Sequence, residues 1–292
     1  MRTIDTSSAL AHVLEDSDRY AEAMELLREV EARALQLGDR ENVVYSRVAV
    51  VPLHFMMGRW SEALALAEQV RHAESSTWAR AELVAIVRIL SEQGEVTEAG
   101  RLLREYEWER DGEQPELLAG FLASEARLFR AQGKPAEALA AAEAGLARRE
   151  ELASTSAKIK GNLVEAIEAA FELGELGRVE ELLRTIGALS PGERTASLDA
   201  QAARFRARLD AARGQDEGVD GSFRLAETIF REFGIAFYLG VAELEHAEWL
   251  ASQGRRDEAE PLLAEAREIF ERLEAKPWLD RLAAVAPAVV PA

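Results

Sequence analysis

The sequence predicts an all-α fold, an α-solenoid of about seven helix-turn-helix repeats followed by a short C-terminal capping helix. Three observations carry this prediction: strong helix formers dominate, one short motif recurs at nearly constant spacing, and apolar residues follow helical periodicity around it. Hydrophobic residues make up 48% of the 292 residues, so a substantial core can form. The chain has only 8 prolines and short β-branched runs, which favours helices over strands.

The recurring motif is a helix corner, best formed at residues 254–259 (GRRDEA). Glycine just past a helix end adopts the left-handed backbone conformation without a Cβ penalty, and so ends the helix. The first residues of the seven corners are predicted at Asp18, Gly58, Gly94, Gly133, Gly177, Gly214 and Gly254. The steps between these positions are 40, 36, 39, 44, 37 and 40 residues. Such regular spacing predicts seven repeats of helix A, corner and helix B.

Small residues flank the corners at fixed distances, where they allow two helix backbones to approach closely. Seven positions before the corners lie Ala11, Val51, Val87, Ala126, Ala170, Ala207 and Ala247. Five positions after the corners lie Ala23, Ala63, Ala99, Ala138, Leu182, Val219 and Ala259. These residues are expected at the contact between helix A and helix B of each repeat.

This pattern of corner glycine and paired small residues resembles the tetratricopeptide repeat family, although the repeats here exceed the 34 residues of that family. The family's closing proline is also not at its usual place. The resemblance implies a right-handed superhelix whose helix-A faces line a concave groove. The longer repeats are similar to those that follow ATPase modules in bacterial multidomain regulators. Residues 237–279 are similar to the C-terminal end of actinobacterial proteins that join an adenylate or guanylate cyclase, an ATPase and helical repeats.

Individual repeats depart from the pattern in ways that predict local structure. The first helix A spans only about residues 7–15, as if the chain began partway into a longer array. Pro52 lies inside helix A of the second repeat, over residues 41–57, where it removes a backbone hydrogen bond and should kink the helix. Tyr20 and Trp60 follow corner residues and are expected to seal the turns.

Loops and chain ends complete the predicted organisation. Polar breaks are expected at residues 154–156 and 190–192, which separate helices. A short helix over residues 278–285 should cap the last helix pair, as solenoids require. The whole array is predicted as a single domain over residues 1–286, followed by a disordered tail at residues 287–292. Trp78, Trp108 and Trp249 are expected to serve core or inter-repeat packing.

The charge balance limits the possible partners. The net charge of −18, from 53 acidic and 35 basic residues, repels phosphate groups and argues against nucleic acid or anionic membranes as partners. Cysteine is absent, the N-terminal segment lacks the apolar core of a signal peptide, and no apolar run of about 18 residues occurs. The sequence therefore predicts a soluble, cytoplasmic protein whose oligomeric state is left open.

Motifs for catalysis are missing. Gly133-Lys134 lacks the upstream glycine of a phosphate-binding loop and is followed by Pro135. The four histidines have no paired metal spacing, and no nucleophile elbow occurs. The many glutamates are read as a solvated face with i,i+4 ion pairs. We expect no enzyme activity, no cofactor and no metal.

The candidate binding residues lie at helix-A positions counted back from the corners. They are Arg88, Arg127, Arg130, Phe171, Arg204 and Arg208. Guanidinium groups bind carboxylates in bidentate geometry, so this ladder would suit a protein or peptide partner with acidic side chains or a C-terminal carboxylate. Alternatively, the arginines could pair with glutamates of the neighbouring repeat, for example Glu125 or Glu92.

The predicted function is a non-catalytic protein-interaction scaffold. The resemblance implies more specifically the regulatory or sensory region of a larger bacterial signalling or transcription regulator. The alternative is a receptor domain that binds a small peptide or metabolite in the concave groove. That receptor would need an enclosed pocket of about 300–1,000 Å³.

Overall fold

A computed structural model describes residues 3–71, 81–110 and 114–285, and every regular element among them is helical. The first eight helices are α1 (Ile4–Asp16), α2 (Tyr20–Leu37), α3 (Arg40–Ala49), α4 (Val51–Met56), α5 (Trp60–Val70), α6 (Ile86–Gln93), α7 (Val96–Glu105) and α8 (Pro115–Ala131). The next eight are α9 (Pro135–Leu146), α10 (Ala157–Glu172), α11 (Leu176–Gly187), α12 (Ala196–Ala212), α13 (Val219–Glu232), α14 (Ala236–Ser252), α15 (Arg256–Leu273) and α16 (Lys276–Val285). Two 3₁₀ helices, Glu82–Ala85 and Glu107–Glu109, lie before α6 and after α7. The predicted all-α helical-repeat fold is confirmed.

The helices form two compact bodies. The first body comprises Met1–Ser91 and Glu95–Ala169, and the second comprises Glu92–Gly94 and Ala170–Ala292. Consecutive helices pack as pairs in both: α1 with α2 and α8 with α9 in the first body, α12 with α13 and α14 with α15 in the second. The single domain over residues 1–286 and the right-handed superhelix stay predictions. The tail at residues 287–292 and Trp78 lie outside the described residues.

Left-handed corners end helix A in the repeats, as the motif predicts. Six of the seven predicted corner residues have positive φ; only Gly177 does not. At Gly254 (φ 75°) the N–H of Arg255 donates to the carbonyl of Leu250 at 2.9 Å, and that of Gly254 to Ala251 at 3.1 Å. These two bonds satisfy carbonyls that the helix end would otherwise leave without donors. Positive φ at the corner therefore has a direct role in ending α14.

The corner of the fifth repeat is Gly174, so the prediction of Gly177 is wrong. Gly174 has φ 73°, and the N–H of Glu175 closes the turn on the carbonyl of Ala170 at 2.9 Å. Gly177 lies in the first turn of α11 instead. With this correction the steps around the fifth corner become 41 and 40 residues, which is more regular than predicted.

Alanine substitutions at these two glycines test the corrected corner. A Cβ at either position meets no atom within 4 Å, so only the backbone conformation matters. Gly174→Ala is expected to lower the free energy of unfolding by about 1 kcal/mol, because a side chain disfavours positive φ. Gly177→Ala is expected to raise it by about 0.5 kcal/mol through helix propensity and a less flexible unfolded chain. Urea denaturation measures both, and effects of the opposite order would contradict the corrected corner.

The small residues predicted at the A–B contacts are buried. Fully buried members are Ala23, Val51, Ala63, Val87, Ala99, Ala126, Ala138, Ala170, Ala207, Val219, Ala247 and Ala259. Ala11 and Leu182 are also buried. The shifted fifth corner assigns its two contact positions to Ile167 and Val179, both fully buried, in place of Ala170 and Leu182. Their burial agrees with the predicted A–B contacts, which stay a prediction.

Helix A of the second repeat is interrupted at Val50, two residues before Pro52. Helix α3 ends at Ala49 and α4 begins at Val51, so residues 41–57 do not form one continuous helix. Pro52 lies at the start of α4, where a backbone N–H has no intrahelical acceptor, so its absence costs no hydrogen bond. The expected break in this helix is confirmed.

Aromatic side chains close corners and cap the last pair. The Trp60 indole donates to the carbonyl of Phe55 at 3.1 Å, and the Tyr20 hydroxyl donates to Asp18 at 2.9 Å. In the capping helix, which begins at Lys276 rather than Trp278, Trp278 stacks on Phe270 with centroids 5.6 Å apart. Trp108 does not serve the core, because Glu109 is the buried residue of its 3₁₀ helix and the indole is exposed.

Candidate functional site

The predicted groove residues lie on four helices, and each body is described by itself. Arg88 on α6 and Arg127 and Arg130 on α8 belong to the first body. Phe171 on α10 and Arg204 and Arg208 on α12 belong to the second. The geometry of each set decides which guanidinium groups are available at a surface.

In the first body the α8 arginines are buried against α10. Arg127 donates to Glu165 at 2.6 Å, and Arg130 donates to the other oxygen of the same carboxylate at 3.1 Å. Arg130 also lies 3.7 Å from Glu168. The carboxylate of Glu165 is therefore held by two guanidinium groups, which offsets the large cost of burying its charge.

Arg88 has a different environment from the α8 arginines. Its guanidinium lies over the Phe55 ring, 4.2 Å from the centroid, in a cation–π contact. Its Nε is buried and has no hydrogen-bond partner among the described residues. The aromatic ring therefore orients this side chain.

In the second body Arg204 and Arg208 of α12 share Glu245 of α14. Arg204 is fully buried and donates to both oxygens of Glu245, at 2.6 and 2.8 Å. Arg208 lies 3.2 Å from Glu245, and its guanidinium is 4.1 Å from the centroid of Phe171. The bidentate pair fixes the spacing of the two helices, because its planar geometry allows little sliding.

Glutamates on every second helix A complete these sites, and sequence reasoning missed most of them. In each body an arginine-bearing helix faces a glutamate-bearing one: α8 faces α10, and α12 faces α14. In the second body α16 follows with Arg281, which donates to both oxygens of Glu248 at 2.8 and 2.6 Å. The signal lay nine and six positions before the corner, which are Glu165 and Glu168 in the fifth repeat, once its corner is placed at Gly174, and Glu245 and Glu248 in the seventh.

Internal pairing of the arginines, the alternative considered from the sequence, is confirmed for Arg127, Arg130, Arg204 and Arg208. Their partners are Glu165, Glu168 and Glu245 of the following repeat. Glu125, one of the expected partners, pairs with Arg110 instead. The suggestion that these arginines also contact a ligand stays a prediction.

The second body presents more of this charge network to solvent than the first. The side chains of Arg208, Glu248 and Arg281 are 20%, 31% and 37% exposed, and Phe171 is half-buried. We call these four residues the second-body face. The buried Arg204–Glu245 pair holds the charged side chains of this face in place.

Two buried carboxyl groups have strongly shifted pKa values. Burial, reinforced by the charge of Glu82, raises the pKa of Glu109 to about 9. Burial, reinforced by Glu265, raises the pKa of Glu243 to about 9. Such shifts can mark catalytic acids. Here both side chains are almost fully buried and no substrate can reach them. Among the described residues, one carboxyl oxygen of each has no hydrogen-bond partner, which favours the neutral acid.

The described residues form neither a metal cluster nor a membrane-spanning helix. Among them no group of three or more histidine, aspartate or glutamate side chains is arranged to hold a metal ion. None of the described helices is both long and apolar enough to cross a membrane. A cavity of about 190 Å³ lies among α5, α6 and α7, and one of about 390 Å³ lies between α1 and α2. Neither is lined by a predicted groove residue.

The paired helices, left-handed corners and small contact residues define a helical-repeat protein. Comparison with protein families supports a specific repeat type: the model described as Tetratricopeptide repeat matches residues 247–274. The match covers the last six residues of α14, the Gly254 corner and α15. A search of curated proteins finds no match. The chain thus contains a tetratricopeptide-like repeat, and stacked repeats of this kind provide extended surfaces for binding proteins.

Proposed function

We propose that this chain is a non-catalytic scaffold that binds a protein or peptide segment on the second-body face. We further propose that it is a cytoplasmic regulatory or sensory region of a larger bacterial signalling or transcription regulator. The observation that carries the binding proposal is the partial exposure of Arg208 on α12, Glu248 on α14 and Arg281 on the capping helix α16. The wider regulatory role rests on the resemblance to bacterial multidomain regulators.

The chemistry of the face favours a carboxylate on the partner. A guanidinium has five N–H donors, so one arginine can bond its own glutamate and a partner carboxylate together. Arg208 is already oriented by Phe171, so less side-chain freedom is lost when a ligand binds. The net charge of −18 repels highly acidic segments at long range. A segment with a single C-terminal carboxylate and no other charge fits best. Its carboxylate can bond the arginines, and its low charge avoids the long-range repulsion.

The alternative of a receptor for a small peptide or metabolite has less support. An enclosed pocket among the groove residues would favour it, and neither of the two cavities described above is lined by these residues. The second-body face is an exposed surface with mixed charge, which suits a peptide segment better than a metabolite.

Matched peptide libraries test the proposed partner chemistry. One library carries free C-terminal carboxylates and the other carries C-terminal amides, with the same uncharged sequences. Peptides with free carboxylates are expected to bind the wild type, and the Arg208→Gln/Arg281→Gln variant is expected to bind them at least tenfold more weakly. Fluorescence polarisation measures the affinity.

Arg213→Gln is the matched control, because Arg213 forms an exposed ion pair with Glu180 in the same body, outside the face. Its affinity should equal that of the wild type. Equal binding of the amidated library, or unchanged affinity of the double variant with an intact helical spectrum, would contradict the proposal.

A further inference from the structure

The first helix pair has an open groove between α1 and α2, with a volume of about 390 Å³. Apolar side chains line much of it, namely Ile4 of α1 and Leu26 and Val30 of α2. Two charged residues of α2, Glu29 and Arg33, also line the groove and are exposed to solvent. All of these residues belong to the first body. An apolar surface with a charged rim is typical of protein interfaces.

Leu37 continues this face of α2 as an exposed apolar residue. Successive residues of an α-helix are rotated by about 100°, so Leu26, Val30, Arg33 and Leu37 lie within about 60° of one another around the helix axis. The Leu37 side chain is 62% exposed. Burial of this side chain against another apolar surface would therefore be favourable.

The two charged residues of the groove are one helical turn apart and have opposite signs. Neither Glu29 nor Arg33 forms an ion pair with another described residue. Other glutamates of α2 are already bonded, since Glu22 pairs with Arg19 and Glu31 pairs with Arg47. The groove therefore presents one negative and one positive side chain, and their charges sum to zero.

This arrangement is its own complement when two α2 helices meet antiparallel across a two-fold axis. An axis that passes between positions 29 and 33 places Glu29 of each copy opposite Arg33 of the other. The same axis brings Leu37 of each copy beside Leu26 of the other, at the groove. Positions 26 and 37 are separated by about 16 Å along the helix, so the two leucine contacts lie on either side of the charged pairs.

We propose that this face of the first helix pair is a homodimer interface. Each copy inserts Leu37 into the groove of the other, and Glu29 of each copy pairs with Arg33 of the other. A second copy fits better than an unrelated partner, because the face itself supplies the apolar side chain, the groove that accepts it and both charges of the ion pair.

The high net charge of the chain limits the affinity of this dimer but does not prevent it. The charge of −18 on each copy is repulsive at long range, and salt at physiological ionic strength screens this repulsion beyond about 8 Å. Glu29 and Arg33 add no net charge at the interface. The inference does not depend on peptide binding by the second-body face, because the two surfaces lie in different bodies.

Sedimentation equilibrium of the full chain tests for the dimer. The interface consists of one groove and one helix face, so we expect a dissociation constant on the order of 10–100 μM. Across concentrations that bracket this value, the apparent mass should rise from 32.2 kDa towards twice that value. A monomer mass at every concentration would overturn the proposal.

Charge reversal tests the antiparallel pairing. Glu29→Arg and Arg33→Glu each place like charges opposite one another, and each should weaken the dimer at least tenfold. The first substitution makes the net charge less negative and the second makes it more negative, so an effect of overall charge would change the affinity in opposite directions.

Complementation separates a second copy from any other partner. A mixture of the two single variants should form a heterodimer of wild-type affinity, because one variant presents two positive charges and the other two negative charges. The Glu29→Arg/Arg33→Glu variant exchanges both charges and should form a homodimer again. If neither combination restores association, the antiparallel pairing is overturned.

Leu37→Glu tests the apolar contact and should weaken the dimer at least tenfold. Leu35→Glu is the matched control, since Leu35 is 57% exposed and lies on the opposite side of the same helix. It should leave the affinity unchanged. Equal affinities of the two variants would show that this face of α2 does not form the interface.

Discussion

Replacing Arg204 with alanine is expected to lower the free energy of unfolding by about 3 kcal/mol. The substitution removes both bonds to Glu245 and leaves that carboxylate buried. Arg208, at 3.2 Å, compensates only part of the loss. The guanidinium also packs 4.6 Å from the ring centroid of Phe205, a contact that alanine cannot replace. Urea denaturation followed by circular dichroism measures the change.

Two further variants separate the charge effect from simple truncation. Arg204→Met/Glu245→Met removes both buried charges and should recover most of the loss, because apolar groups of similar size often replace a buried ion pair without cost. Arg213→Ala removes an exposed pair with Glu180 and should cost far less than Arg204→Ala, because solvent screens exposed pairs. Equal losses for Arg204→Ala and Arg213→Ala would show that the buried pair does not hold the second body together.

The free energy of unfolding is expected to decrease as the pH rises from about 5 to about 9. Glu109 and Glu243 have folded-state pKa values of about 9, whereas glutamate in an unfolded chain titrates near 4.3. Between these values the folded state binds a proton that the unfolded state has lost. Each group can therefore lower stability by up to about 1.4 kcal/mol per pH unit in this window.

Urea titrations at pH 6, 7 and 8 measure this slope. Glu109→Gln/Glu243→Gln should flatten it and should raise stability at pH 8, because neutral glutamine resembles the protonated acid. Glu150→Gln, at an exposed position in the first body, is the matched control and should leave the slope unchanged. A slope in the double variant equal to that of the wild type would contradict the proposed protonation state.

The helical-repeat fold could be predicted from the sequence because the strongest signals in the sequence are local. A glycine that ends a helix and a small residue five positions later depend only on backbone conformation and helix contact. The fifth corner was misplaced because Gly174 and Gly177 lie in the repeated run ELGELG, and each has a small or apolar residue at the expected distances. Only the backbone φ distinguishes the two glycines.

The candidate site was only partly predictable for a related reason. Positions counted back from the corners identified Arg127 and Arg208. Their partners Glu165 and Glu245 lie about 40 residues away on another helix. Glutamate is so abundant here that no single one stands out in the sequence. The buried Glu109 and Glu243, and the contacts of Asp18 with Lys160, depend on how distant helices meet.

The alternation of charged helices in the second body limits how such an array can change in length. Arginines of α12 face glutamates of α14, which in turn hold Arg281 of α16. Deleting the single repeat that carries Glu245 and Glu248 would bring like charges together, with no carboxylate between them. Loss or gain of two repeats would preserve the pairing. Repeats of the second body are therefore expected to be lost or gained in pairs, during evolution and in engineered versions alike.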